Sequence, residues 1–285
     1  PLSKFIFTEI FTGPVMQNFI ACLLIFLIAN FINRLVIQNR LSKSLSLLPG
    51  LFFILYSSIV SGGLYLSPEL FSIFFIMLGL LSLQKTYKSK DSAIHIFNTS
   101  MYFSIASIFY PGSWILWLFG FISLLNLRSL RLGDMLLFLT GMIVPIYLIG
   151  IYYYWDDKLY KLSSYFQLNT GIFKQISGIG FNEILALIIS ILTIGYSVYK
   201  YNDFTMRNPL QIKKKLDVLF WLMLFSFFMV FFTKQLSAAH FLILFIPVSI
   251  FIGLSYEKIK NGLIAEFIHI VIILLVLFGH FQLYR

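Results

Sequence analysis

The chain has 285 residues, 59% of them hydrophobic and 11% charged, with 21 lysines and arginines against 11 acidic residues for a net charge of +10. A water-soluble domain carries about 25% charged residues, so this composition, with a mean hydropathy of +0.90, excludes a soluble globular protein and points to an integral membrane protein. The basic residues fall between apolar runs, where they act as a topology signal, and no nucleic-acid partner is expected.

A membrane-crossing helix needs about 20 apolar residues. In chain order, residues 1–13, PLSKFIFTEIFTG, are aromatic-rich and hold Glu9. Candidate spans then follow at 14–32, 45–61, 67–83, 93–110, 112–126, 135–154, 184–199, 217–233, 238–254 and 263–281. The fold class predicted is all-α: a polytopic transmembrane bundle with ten spans in one integral membrane domain, residues 1–285. Cys22, the one cysteine, falls in the first run and reads as a small core residue. Ser67-Pro68-Glu69 reads as a helix start with an acid in its first turn. Residues 93–110 and 112–126 are separated only by Pro111. They form either two thin crossings or a helical hairpin that dips into the membrane, and both arrangements return the chain to one side. Asn98, Thr99, Ser100, Ser104 and Ser107 give the first of the pair a polar stripe suited to bonding between helices. Tyr152, Tyr153, Tyr154 and Trp155 form an aromatic belt where the sixth run ends. In the extramembrane stretch 155–183, Leu159, Leu162 and Phe166 recur at helical spacing, as in a helix lying in the headgroup plane.

The charges orient the bundle. The connections at 34–43, 85–90, 128–131, 200–215 and 258–260 hold fifteen basic residues, and the opposite connections hold six: Lys4, Lys158, Lys161, Lys174, Lys234 and Arg285. Positive-inside bias makes the richer set cytoplasmic and puts segments 1–13 and 155–183 outside. The expected location is a bacterial cytoplasmic (inner) membrane. Residue 1 then lies outside, and the chain opens without methionine, so one more span is expected upstream.

Candidate site residues are few. Glu9 and the neighbouring Asp156 and Asp157 are outward-facing carboxylates that suit a general base or a divalent cation. A solvated helix exit balanced by Lys158 and Lys161 accounts for the aspartates equally. Glu266 and His269 share a helical face, which is half of a di-iron signature. No second copy occurs, so the pair reads as buried and satisfied by a neighbouring span, and no metal or cofactor is expected. In the short outer turn around FFTKQLSAAHF, which also holds His240, Lys234 opposes the charge bias. A lipid phosphate at the outer face would explain both, with the lysine as point charge and the histidine as donor, while snorkelling of the lysine is the plainer alternative.

TKQLSAAHFLILFIPVSIFIGL resembles the late segment of GT-C-type polytopic glycosyltransferases, in which a basic residue precedes a proline-containing apolar run at the outer face. The stretch from YLSPELF to FISLL, residues 65–125, resembles the middle of that fold in layout. The resemblance implies a polyprenyl-phosphate-linked sugar donor, with Lys234 and His240 as phosphate contacts, Glu9 as base, and Asp156 and Asp157 as a metal or acceptor site. Two departures stand against it: the first outer loop lacks a doubled acidic motif, and lysine replaces the usual arginine. Two functions therefore stand. One is a non-catalytic integral membrane subunit or scaffold of a larger envelope complex, partnered by the bilayer and other membrane proteins. The other is a GT-C-like transferase.

Overall fold

A computed structural model describes residues 13–42, 45–59, 66–89, 91–160, 208–229 and 241–259, with isolated positions within 184–199 and 262–274. Among the described residues every regular element is helical. The elements are α1 (Pro14–Gln38), α2 (Leu48–Ile59), α3 (Pro68–Lys85), α4 (Ser92–Phe109), a 3-10 turn (Pro111–Ile115) running into α5 (Leu116–Leu127), α6 (Leu132–Trp155), α7 (Leu210–Met229) and α8 (Leu242–Tyr256). Three of these, α1, α3 and α6, are long and apolar enough to cross a membrane, and α2, the Pro111–Leu127 segment and α8 are shorter apolar helices. An apolar setting offers the backbone no water, so helices that satisfy their own N–H and C=O groups are the form these sequences take.

The helix starts follow local chemistry. Ser67 caps α3 by accepting from the Leu70 N–H at 3.3 Å, with Pro68 and Glu69 in the first turn. Asp134 closes a capping box at the start of α6, where its Oδ2 accepts the Arg131 N–H at 3.1 Å. The 3-10 turn adds about 2.0 Å per residue where α-helix adds about 1.5 Å. Together with α5 it reaches nearly the length of α4.

Packing sets the helix directions. Phe109 at the end of α4 sits between Phe71 and Phe75 near the start of α3, at 5.4 and 5.7 Å between ring centroids. Phe103 lies against Gly79 further along, so α3 and α4 run antiparallel over their length. Phe119 of α5 meets Phe225 of α7, and Phe220 of α7 meets Phe251 of α8 at 4.3 Å. Phe52 and Tyr56 of α2 pack on Tyr256 and Phe245 of α8. Leu242 to Phe251 of α8 are buried without interruption. A helix that is apolar on every face belongs in the interior of a bundle, and α8 sits there.

The polar stripe of α4 does something different from the expectation. Thr99, Ser100 and Ser107 donate to carbonyls of their own helix, and only Ser104 reaches across, to the Met142 carbonyl at 2.7 Å. That carbonyl is next to Gly141, whose own carbonyl loses its i+4 donor to Pro145. The stripe's larger role is steric. Its small side chains let α6 approach α4 so closely that a Cβ on Gly141 would meet Ser100 Oγ and, at 2.6 Å, the Phe97 carbonyl. Cys22 also departs from expectation. It is exposed, because it lies on the outward face of α1 while Ala21, Leu24, Ile25 and Ile28 turn inward.

Gly141→Val should therefore destabilise the bundle by about 1–3 kcal/mol through overpacking. Gly150→Val, with open space around it, should change stability by no more than about 0.5 kcal/mol. Unfolding of the detergent-solubilised chain by titration with SDS measures both.

Candidate functional site

Of the candidate carboxylates facing outward, Asp156 and Asp157 lie within the described part of the chain, just past the end of α6. Asp156 forms an ion pair with Lys158, each side chain nearly half exposed. The hydrogen bond and the charge of Asp156 raise the Lys158 ammonium above its ordinary value. Asp157 takes a left-handed φ of 51°, a conformation aspartate tolerates better than most residues. Its N–H and that of Lys158 return to the carbonyls of Tyr154 and Tyr153 at 3.2 and 2.9 Å, which ends the helix. This geometry is that of a solvated helix exit. Exposed pairs of this kind contribute little, and nothing aims the carboxylates at a common point.

Glu9, Lys234 and His240 lie outside the described residues, as do most of segments 1–13 and 155–183. Glu266, expected to be buried with His269, is exposed, and His269 is only partly covered. Among the described residues no group of three or more His, Cys, Asp or Glu side chains stands close enough to hold a metal ion.

The structure instead gathers polar side chains at the end of the bundle where the basic connections meet. Lys215, in the first turns of α7, is only 6% exposed. Its Nζ donates to Asn39 Oδ1 at 2.6 Å, and Asn39 Nδ2 donates to the Leu35 carbonyl at 2.8 Å, closing the end of α1. Gln84, at the end of α3, donates through Nε2 to the Lys215 carbonyl at 3.1 Å. Three helix ends distant in sequence are thus tied through one lysine. Beside them opens a cavity of about 280 Å³ that also takes in Lys85, Tyr87, Ser89 and His95. Lys88 and Lys214 stand over the Tyr87 ring at 5.7 and 5.9 Å. At the same end Ser42 donates to the Glu257 carboxylate, and Arg128 pairs with Asp134 at 3.4 Å.

Lys215 was hidden in the sequence by its neighbours. Lys213, Lys214 and Lys215 read as one solvated charge run. Yet Lys215 is in helical phase with Leu219, Leu222, Ser226 and Met229, all buried on the inner face of α7, whereas Lys213 is exposed. That phase was the available signal. Lys215 precedes the apolar run 217–233 and so lies outside the membrane-spanning stretch. Burial lowers its ammonium pKa below the ordinary 10.5.

Between α5 and α6 lies a groove of about 480 Å³ lined by Trp114, Trp117, Leu118, Phe121, Phe138 and Met142. Its wall is almost wholly apolar. Comparison with known proteins finds no family model, no curated protein and no solved structure that matches this chain.

The buried ammonium has a pH signature. The folded chain gives up the Lys215 proton at lower pH than the unfolded chain does. Below that lowered value both states are protonated and the folded state carries the full cost of the buried charge. As pH rises through it towards 10.5, the cost is relieved and stability rises. The melting temperature of wild type relative to Lys215→Met should therefore shift in favour of wild type between neutral pH and 10.5. A difference that does not change with pH would contradict burial of the charge.

Proposed function

We propose that this chain is a non-catalytic integral membrane subunit or scaffold of a larger bacterial envelope complex, resident in the cytoplasmic membrane, with the basic end of the bundle inside. The observation that carries this reading is the flank of α6. Only 17% of its membrane-length window is buried, against 44% for α1 and 56% for α3. Leu136, Leu139, Ile143, Tyr147 and Leu148 project from it, and the groove against α5 opens on the same helix. A helix fixed along one edge and apolar on its remaining faces, with a cleft deep enough for side chains, suits packing against helices of another protein.

The polar groups point the same way. Those described serve as caps, helix-end ties and an exposed ion pair, uses that hold a bundle together. The ten-span arrangement belongs to this reading. It is supported by the full-length antiparallel packing of α3 on α4 and by the joint length of the 3-10 turn and α5, about 28 Å at standard rises against a hydrocarbon core of about 30 Å. The glycosyltransferase reading depends on Glu9, Lys234 and His240 and gains nothing from Asp156 and Asp157.

A photo-crosslinking residue placed at Leu139 or Tyr147 tests the proposal in native membranes. The expected result is one dominant protein adduct at both positions, recovered at a fixed ratio to this chain after mild-detergent purification, and none from Phe19 on the far flank of α1, which is also exposed. Adducts to lipid alone, with a chain that purifies without a stoichiometric partner, would contradict it.

A further inference from the structure

We propose that the cavity at the basic end of the bundle is a binding site for a phosphate group that also carries a hydroxyl, contacted by Lys215, Lys85, Gln84 and His95. The inference is independent of the scaffold reading, which concerns the flank of α6 and its groove against α5.

The first observation is the unbalanced charge. Lys215 is buried, and among the described residues its Nζ bonds to the neutral Asn39 Oδ1 and no carboxylate lies within ion-pair distance of it. A buried ammonium is costly without an opposing charge. Lys85 adds a second cation to the cavity wall, and among the described residues no acidic one lines it. Lys88 and Lys214, on the two approaches to Tyr87, raise the local positive potential further. A cavity lined by one sign of charge concentrates the opposite ion.

The second observation is an orphan acceptor. Gln84 is 1% exposed. Its Nε2 is committed to the Lys215 carbonyl, which fixes the orientation of the amide, and its Oε1 has no hydrogen-bond partner among the described residues. Such an atom seeks an O–H or N–H donor. A chloride ion supplies none. A monohydrogen phosphate, or a phosphodiester with a hydroxylated substituent, supplies both the anion for the lysines and the donor for Gln84. His95 and Ser89 complete a polar wall that serves either role.

Size narrows the class. At about 280 Å³ the cavity lies just below the range of drug-sized ligand sites, roughly 300–1,000 Å³. It accommodates a phosphate or a small headgroup and not a nucleotide. Two sources present this chemistry at a membrane surface: a phospholipid with a glycerol headgroup, and free phosphate.

The test uses the full chain purified in a neutral detergent. Inorganic phosphate is titrated by calorimetry. Separately, short-chain phosphatidylglycerol and phosphatidylcholine with matched tails are compared by native mass spectrometry. Binding of phosphate assigns the site to a soluble anion; retention of phosphatidylglycerol over phosphatidylcholine without phosphate binding assigns it to a lipid headgroup. Either result supports the proposal if Lys215→Met weakens it tenfold or more, the loss expected for one charge-assisted contact. Asn39→Asp provides the second variant. It keeps Lys215 and gives it a tethered counter-ion, so a chain that folds normally should lose the same affinity. The proposal is overturned if wild type binds neither probe, if the two lipids are retained equally and phosphate is not bound, or if Asn39→Asp binds as wild type does.

Discussion

The constraint that governs this molecule is that the backbone of its apolar helices, three of them long and apolar enough to cross a membrane, has no water to bond with in an apolar setting. Helices answer that demand internally, and they leave only their ends needing partners. Charged and amide side chains are therefore useful at one place only, the turns between helices. In this chain they serve there as more than a solvated fringe. Asn39, Gln84 and Lys215 tie the end of α1, the end of α3 and the start of α7 into one polar contact. Ser42 and Glu257 add the end of α8.

Between the ends, van der Waals fit does the work. Gly79 and Gly120 receive the Phe103 ring from two sides, and Gly141 lets α6 meet the serines of α4. Association in a bilayer gains nothing from hiding apolar surface from water, so close approach and a few hydrogen bonds must supply it. The Ser104 contact to the Met142 carbonyl supplies one such bond beside the break that Pro145 makes in α6. The two features are complementary: the small residues bring the backbone near, and the hydroxyl uses the proximity.

Much of the fold was legible. Apolar runs located all eight labelled helices, and Ser67-Pro68-Glu69 marked the start of α3 by its cap chemistry. What hydropathy could not give was the facing of each helix. Cys22 and Glu266 were read inward and are exposed, because an apolar run with little amphipathic contrast does not say which side meets a neighbour. The stripe on α4 was read as interhelical bonding, whereas most of its hydroxyls bond within the helix. The polar site was missed for a related reason: three consecutive lysines look alike in sequence, and only the inward phase of the third separates it from the others. Asp156 and Asp157, by contrast, are open to two readings in the sequence, and the structure adds that Asp156 pairs with Lys158 at an exposed helix exit.

In the proposed orientation, the end of the bundle holding Lys85, Lys213 and Lys258 faces the cytoplasm and the end holding Trp155 and Tyr160 faces out. Single-cysteine labelling in a Cys22→Ser background tests it most directly, at two exposed positions, Lys213→Cys and Tyr160→Cys. In intact spheroplasts a membrane-impermeant maleimide should modify position 160 and reach position 213 only after permeabilisation. Modification of position 213 in intact cells, with position 160 protected, would contradict the account.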